Sequence, residues 1–193
     1  VGTELPARIV LVRHGPSAHT VRGRHSRDDI LRWRDDYDRA GIQSHSEPPV
    51  SLRRIVADAD VVVTSSMRRA LESGQRLAID RPIATSALLA ELPLHVPRVG
   101  GRFPLGVWGA FIHANWLLGM ARGNALSPSH RRQVEDAAMW LMRQAPAATV
   151  LAVTHGVMRR ELSRHLVTTG WTRTRTERGY QPWSAWFFEP APG

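Results

Sequence analysis

The chain has no cysteine. That excludes disulfides, thiolate nucleophiles, iron–sulfur clusters and cysteine-ligated zinc. It has no lysine either: all 26 basic side chains among its 193 residues are arginine. A Walker-type phosphate loop, which needs its lysine, and any Schiff-base mechanism are excluded with it. Long apolar runs are scarce. The longest uncharged stretch, Phe103 to Met120, is interrupted by Gly106, Gly109, His113, Asn115 and Gly119. It makes a poor membrane span and a good buried or interfacial helix, so no membrane partner is expected. Val1 to Pro6 is short and carries Glu4, so no secretory signal is expected and the cytoplasm is the expected location.

What is present is ordinary in bulk and unusual in charge. Apolar residues make up 42% and charged residues 22%, as in a globular protein. The net charge is +9 and the sequence pI is near 11.5. Such a balance raises nucleic acid as a partner. The arginines are scattered, however. The densest clusters are the doublets Arg53-Arg54, Arg68-Arg69, Arg131-Arg132 and Arg159-Arg160, and no basic run reaches five. Nucleic acid is therefore not the expected partner; an anionic small substrate accounts for part of the same charge.

Apolar runs and turn signals alternate along the chain. Arg8 to Val12 and Thr149 to Val153 read as buried strands, and Val61 to Val63 as a third. Between them lie helical stretches: Ser26 to Ala40, with Ser26 as cap and Gly41 as stop, then Val50 to Asp58 and Met67 to Ile79. Leu105 to Met120, Ser127 to Gln144 and Val157 to Leu166 follow, with Ser127-Pro128 as a cap and first-turn pair. Ile83 to Leu89 holds a short strand, and Thr172 to Thr176 is an exposed strand or a loop. Trp183 to Phe188 is a last strand. The pattern predicts an α/β three-layer sandwich, a mostly parallel central sheet with helices on both faces. It predicts a single domain over 1–193, with a small cap or insert around 92–126.

Ligands of such sheets bind outside the carboxyl ends of the strands. Three strands here deliver polar groups to that edge: Arg13-His14-Gly15, the stretch Thr64 to Arg69, and Thr154-His155-Gly156. Two arginines beside two histidines repel a metal and suit an oxyanion, because guanidinium forks match phosphate oxygens. A histidine among them can attack phosphorus if one ring nitrogen is bare and the other donates to a fixed acceptor.

These pieces, in order, resemble the histidine phosphatase superfamily, the phosphoglycerate-mutase-like and acid-phosphatase-like group. The matching residues are Leu11-Val12-Arg13-His14-Gly15, Ser65-Ser66-Met67-Arg68-Arg69-Ala70, Ala90-Glu91-Leu92 and Val153-Thr154-His155-Gly156. The resemblance implies a metal-independent phosphohydrolase that works through a phosphohistidine on His14 and needs no cofactor. It implies that Arg13, Arg69 and His155 hold the phosphoryl group and that Glu91 is the general acid and then the base. Arg69 is preferred to Arg68 because it directly precedes Ala70. Ser17 and Thr20, which follow the nucleophile loop, are expected to touch substrate. A small phosphorylated molecule or a phosphoprotein is the expected partner. Glu72 and Glu161 compete in principle with Glu91. The seven tryptophans read as core or interface rather than as a base-stacking platform.

The match has departures. Thr20 stands where cofactor-dependent mutases carry Asn, and Pro16 where an acidic residue is common. Glu47-Pro48-Pro49-Val50 occupies the place of the family's Asp-x-Pro-Leu-Thr-x-x-Gly stretch. Only 21 residues separate Arg69 from Glu91, too few for a large lid. A mutase must shield its phosphoenzyme from water, so hydrolysis is preferred to phosphoglycerate-mutase-type transfer. A non-catalytic phospholigand- or nucleic-acid-binding protein is the remaining alternative. The segment 103–120 is expected beside the pocket, selecting an apolar leaving group or forming a homodimer interface.

Overall fold

The computed structural model describes residues 8–93, 95–122, 126–144 and 148–191. The Val1 to Pro6 segment, and Leu94 and 123–125 of the expected insert, lie outside the described residues. The chain begins with β1 (Arg8–Arg13), β2 (Arg24–His25), α1 (Arg27–Arg39), α2 (Val50–Ala57), β3 (Val61–Ser65), α3 (Arg68–Leu77) and β4 (Ile83–Ser86). It continues with β5 (Phe103–Pro104), α4 (Leu105–Ala121), α5 (Pro128–Met142), β6 (Thr149–Thr154), α6 (Gly156–Thr168), β7 (Trp171–Glu177) and β8 (Ala185–Pro190).

Six strands form one sheet in the order β4-β3-β6-β1-β8-β7. The first four are mutually parallel; β8 runs antiparallel to β1, and β7 to β8. The central strands alternate between two cores, as a period of two requires. Ile9, Leu11, Val150 and Ala152 pack on one face against Ala138 and Leu141 of α5 and Leu162 of α6. Val10, Val12, Leu151 and Val153 pack on the other against Val56 of α2 and Leu77 of α3. Helices thus cover both faces, which is the expected α/β sandwich. Each fully buried aliphatic side chain contributes about 1.5–3 kcal/mol relative to exposure.

Local signals explain the helix starts. Ser26 accepts the Asp29 N–H at 3.2 Å while the Asp29 carboxylate accepts the Ser26 N–H at 2.9 Å, a reciprocal capping box. Ser127 accepts the His130 N–H at 3.2 Å, with Pro128 in the first turn.

Several boundaries differ from the sequence reading. Thr64 and Ser65 belong to β3 rather than to a turn, because that strand continues its parallel pairing with β4 through Ser65 and Ser86. Residues 171–177 form a strand, and the last strand starts at Ala185 because Trp183 has a φ of 61°. The two-residue pairing of β2 with β5 has no periodic signal and was not expected. Gly41 does not stop α1 by a left-handed turn; Ala40 ends it in extended conformation. Gly41 is instead where a Cβ would overlap the Glu72 carboxylate, which accepts the Ile42 N–H at 2.8 Å.

A third, smaller cluster lies off the sheet. Ile30 of α1, Val96 and Trp108 of α4 are buried together. Trp108 Nε1 donates to the His25 carbonyl at 2.7 Å, tying α4 to β2. Among the described residues no helix is long and apolar enough to cross a membrane.

Candidate active site

The carboxyl edge of the parallel strands collects the polar groups. His14 extends β1 by one residue, its N–H donating to the Thr154 carbonyl at 3.0 Å. Gly15 then turns the chain, its N–H donating to Ser73 Oγ at 2.9 Å, and Ser73 donates in turn to the Arg69 carbonyl at 2.6 Å. Gly15 has no room for a side chain: a Cβ there would lie 2.5 Å from the Trp183 ring. Trp183 is held in place by its backbone N–H on the Arg13 carbonyl (3.1 Å) and by Nε1 on Ser46 Oγ (2.8 Å).

This framework sets the His14 tautomer. A carbonyl only accepts, so His14 Nδ1 carries the proton it donates to the Gly15 carbonyl at 2.6 Å. Nε2 is left with its lone pair. The ring is 2% exposed. Burial, reinforced by the Arg69, Arg13 and Arg159 cations, lowers its pKa to about 3 against the Gly15 bond, which raises it. His14 is therefore a neutral imidazole at physiological pH.

His155, at the end of β6 and the start of α6, has its ring centre 5.0 Å from that of His14. It is fully buried, and its Nε2 lies 2.9 Å from Ser65 Oγ. Burial, then His14, Arg69 and Arg13, hold its pKa well below the usual histidine value. Nδ1 is buried with no partner among the described residues.

The cations surround this pair. Arg69 is fully buried, whereas its neighbour Arg68 is exposed and pairs with Glu72 at 2.7 Å. Arg69 donates to the Tyr37 carbonyl and to the Asp38 carboxylate, the latter at 3.3 Å, and lies 4.0 Å over the Tyr37 ring. Arg13 donates to the Tyr180 carbonyl. Glu91 sits across from Arg13, at the start of α6: its carboxylate accepts the Met158 N–H at 2.9 Å and the Val157 N–H at 3.1 Å. Burial raises the Glu91 pKa, against these N–H bonds and the Arg13 cation. A carboxyl so balanced can hold a proton that an exposed one would lose. Among the described residues no group of three or more His, Asp or Glu is disposed to hold a metal.

No protein-family model matches the sequence, and no curated protein matches it. Solved structures do. Phosphoserine phosphatase of Entamoeba histolytica, in complex with 3-phosphoglyceric acid, aligns at 16% identity over 83% of this chain and 80% of that one, with a TM-score of 0.52. A mycobacterial glucosyl-3-phosphoglycerate phosphatase aligns at 17% over 84% and 80%, with a TM-score of 0.53. Its VO3 complex aligns at 19% over 84% and 82%, with a TM-score of 0.51. The chain has the histidine phosphatase fold.

Within that fold the sequence-derived candidates separate into two groups. His14, His155, Arg13, Arg69 and Glu91 converge on one place. Ser17 and Thr20 do not. Ser17 pairs with Ile42, and its Oγ accepts the His19 N–H at 3.1 Å in a local turn; Thr20 is exposed. The segment after His14 is tied to residues 42–43 instead: the Pro16 carbonyl accepts the Gln43 N–H at 2.9 Å. Of the competing carboxylates, Glu72 is taken up by the Ile42 N–H and Arg68, and Glu161 lines a separate recess with Arg164 and His165.

Three residues escaped the sequence reading. Arg159 is fully buried, donates to the Ser184 carbonyl and hydroxyl at 2.9 and 2.7 Å, and lies 4.0 Å over the Trp186 ring. Burial, then Arg13, lowers its pKa to about 9. The available signal was spacing: four residues past His155 is the same helix face. Ser65 enters the sequence pattern only as part of a motif, and Trp183 only as a core or interface residue. Nothing local in the sequence marks Trp183 as the ring that packs on Gly15.

Proposed function

We propose that the protein is a metal-independent phosphomonoester hydrolase that works through a phosphohistidine on His14. The observation that carries this reading is the neutral His14 ring, fixed by the Gly15 carbonyl with Nε2 bare, 5.0 Å from His155 among three arginines. The Nε atoms of Arg13, Arg69 and Arg159 and the Nδ1 of His155 are buried with no partner among the described residues. Buried polar atoms are rarely left unpaired, and a tetrahedral oxyanion is the ligand that satisfies such a set.

In the proposed reaction the phosphoryl group enters by exchange. Arg13 trades its bond to the Tyr180 carbonyl, and Arg69 its bonds to Tyr37 and Asp38, for phosphate oxygens. His14 Nε2 forms a bond to phosphorus as the bond to the leaving oxygen breaks, and protonated Glu91 supplies that oxygen's proton. Glu91, now ionised, takes a proton from water; the water oxygen attacks phosphorus, the N–P bond breaks, and phosphate leaves. His155 and the arginines stabilise charge on the equatorial oxygens in both steps. Water is favoured over a second alcohol as acceptor because the segment between Arg69 and Glu91 is short. The structural neighbours named above are phosphatases, which agrees with this reading.

The test is hydrolysis of p-nitrophenyl phosphate in the presence of EDTA, with acid-labile, base-stable label trapped on the protein from a phosphodonor. Both signals are expected in the native protein and absent in His14→Ala. Turnover that survives His14→Ala, or that EDTA abolishes, removes the proposal.

A further inference from the structure

We infer that the site takes phosphomonoesters whose alcohol part is large and apolar; the inference rests on the phosphatase reading for the ester and on the cavity for the rest. A cavity of about 880 Å³ opens beside Arg13 and Glu91. At the roughly 30 Å³ a water occupies in the liquid, that is room for about thirty such groups, far more than a phosphate fills. Helices α1 and α4 supply most of its walls, with the start of α6 (Gly156, Val157, Arg160) beside the site. From α1 it takes Ile30, Trp33 and Tyr37, positions three and four apart and therefore one helix face. From α4 it takes Leu105, Gly109, Ile112 and Trp116, again one face. Leu92, Pro93 and Val96 close the space between them.

Most polar groups on this wall are engaged within the protein, and His113 stacks on the Trp116 ring at 5.9 Å. Asp38 is paired with Arg69 at 3.3 Å, and Arg34 with Asp35 at 3.3 Å. Arg160 lies 4.0 Å over the Trp116 ring. Hydroxyl-rich substrates need donors and acceptors along their length, and an apolar wall leaves their hydroxyls unpaired at a cost. An alkyl or aryl group loses nothing there and gains by leaving water. The continuity of this wall with Arg13 and Glu91 places the apolar part next to the ester oxygen.

The experiment is calorimetric binding of two non-hydrolysable probes, hexylphosphonate and methylphosphonate. Each methylene taken from water is worth roughly fourfold in affinity. Hexylphosphonate is expected to bind at least tenfold more tightly, with a negative heat-capacity change. Gly109 lines the cavity and a Cβ there meets nothing within 4 Å, so the ring of Gly109→Phe is expected to occupy that space. That variant is expected to reduce the preference to less than threefold. Leu118→Gln, on the exposed side of α4, is the control and keeps the full preference. Equal affinities for the two probes, or a preference that survives Gly109→Phe, overturn the inference. Turnover of p-nitrophenyl phosphate is read separately: a hexyl preference without turnover upholds the apolar site and removes only the phosphatase reading.

Discussion

The rings of His14 and His155 stand 5.0 Å apart, one delivered by β1 and the other by the neighbouring strand β6. Only His14 has a ring nitrogen fixed as donor to a backbone carbonyl; His155 instead meets a hydroxyl that accepts or donates. The two rings therefore differ in what their loss does. His14→Ala is expected to reduce kcat by more than about 10⁴-fold and to abolish the phosphoenzyme, because the proposed nucleophile is gone. His155→Ala is expected to cost about 10²–10³-fold while a labelled phosphohistidine still forms, since only a stabilising group is lost. Rapid-quench labelling of both variants separates the two roles; label retained in His14→Ala refutes the assignment.

The same burial that keeps both rings neutral makes the fold acid-sensitive. The His14 pKa lies at about 3 in the folded chain, against 6.5 ordinarily, and His155 is also shifted well downward. Between those values the unfolded chain binds protons that the folded chain refuses, so stability falls as pH drops below 6.5 towards 3. Each ring adds up to about 1.4 kcal/mol per pH unit to that fall. Glu91, whose pKa burial raises, works in the opposite direction and offsets part of it. Urea midpoints between pH 7.5 and 4.5 are expected to decline, and the double variant His14→Gln, His155→Gln to decline less steeply. Parallel slopes for the two proteins would mean that the rings titrate normally.

The sheet was legible because its central strands are unbroken apolar runs with no polar competitor, and the helices because Ser26 and Ser127 carry their own caps. The convergence of Arg13, His14, Arg69, Glu91 and His155 was legible because a parallel sheet sends every strand's carboxyl end to one edge. Arg69 was separable from Arg68 by motif, and the fold puts one inside and the other in solvent. What stayed hidden depends on tertiary contacts between distant segments. The Trp183–Gly15 packing, the Ser65–His155 pairing and the α1–α4 cavity wall each join residues that no period or cap relates. Ser17 and Thr20 are placed near substrate by chain proximity alone, whereas in the fold the Ser17–Ile42 bridge and the Pro16–Gln43 bond tie that stretch to residues 42–43.

Glu91 offers a test that depends on the leaving group. Its carboxylate sits on the first turn of α6, and burial raises its pKa above that of an ordinary glutamate. As general acid it matters most where the departing oxygen is basic. Glu91→Gln is expected to lower kcat/KM by about 10²–10⁴-fold for an alkyl phosphate and far less for p-nitrophenyl phosphate, whose phenolate leaves unaided. With the alkyl ester the native protein is expected to lose activity as pH rises through the Glu91 pKa, because the proposed general acid must carry its proton. The variant lacks that alkaline limb. Equal losses for the two esters would assign Glu91 to holding α6 rather than to proton transfer.

Gly15 links stability to chemistry. A methyl group there would sit 2.5 Å from the Trp183 ring, inside any real contact distance. Trp183 cannot simply retreat: it is buried, its backbone is in the left-handed region at φ 61°, and its indole N–H is tied to Ser46. The strain must pass to the loop that carries the Gly15 carbonyl, and so to the bond that fixes His14. Gly15→Ala is expected to destabilise by about 1–3 kcal/mol, as overpacking does. For a chain of this size that lowers Tm by roughly 2–4 °C per kcal/mol. It is also expected to lower kcat more than it raises KM, because the proposed nucleophile would lose its alignment while the arginines proposed to bind phosphate stay in place. Ala at position 15 with native Tm and native kcat would show that the loop and the ring move apart without cost.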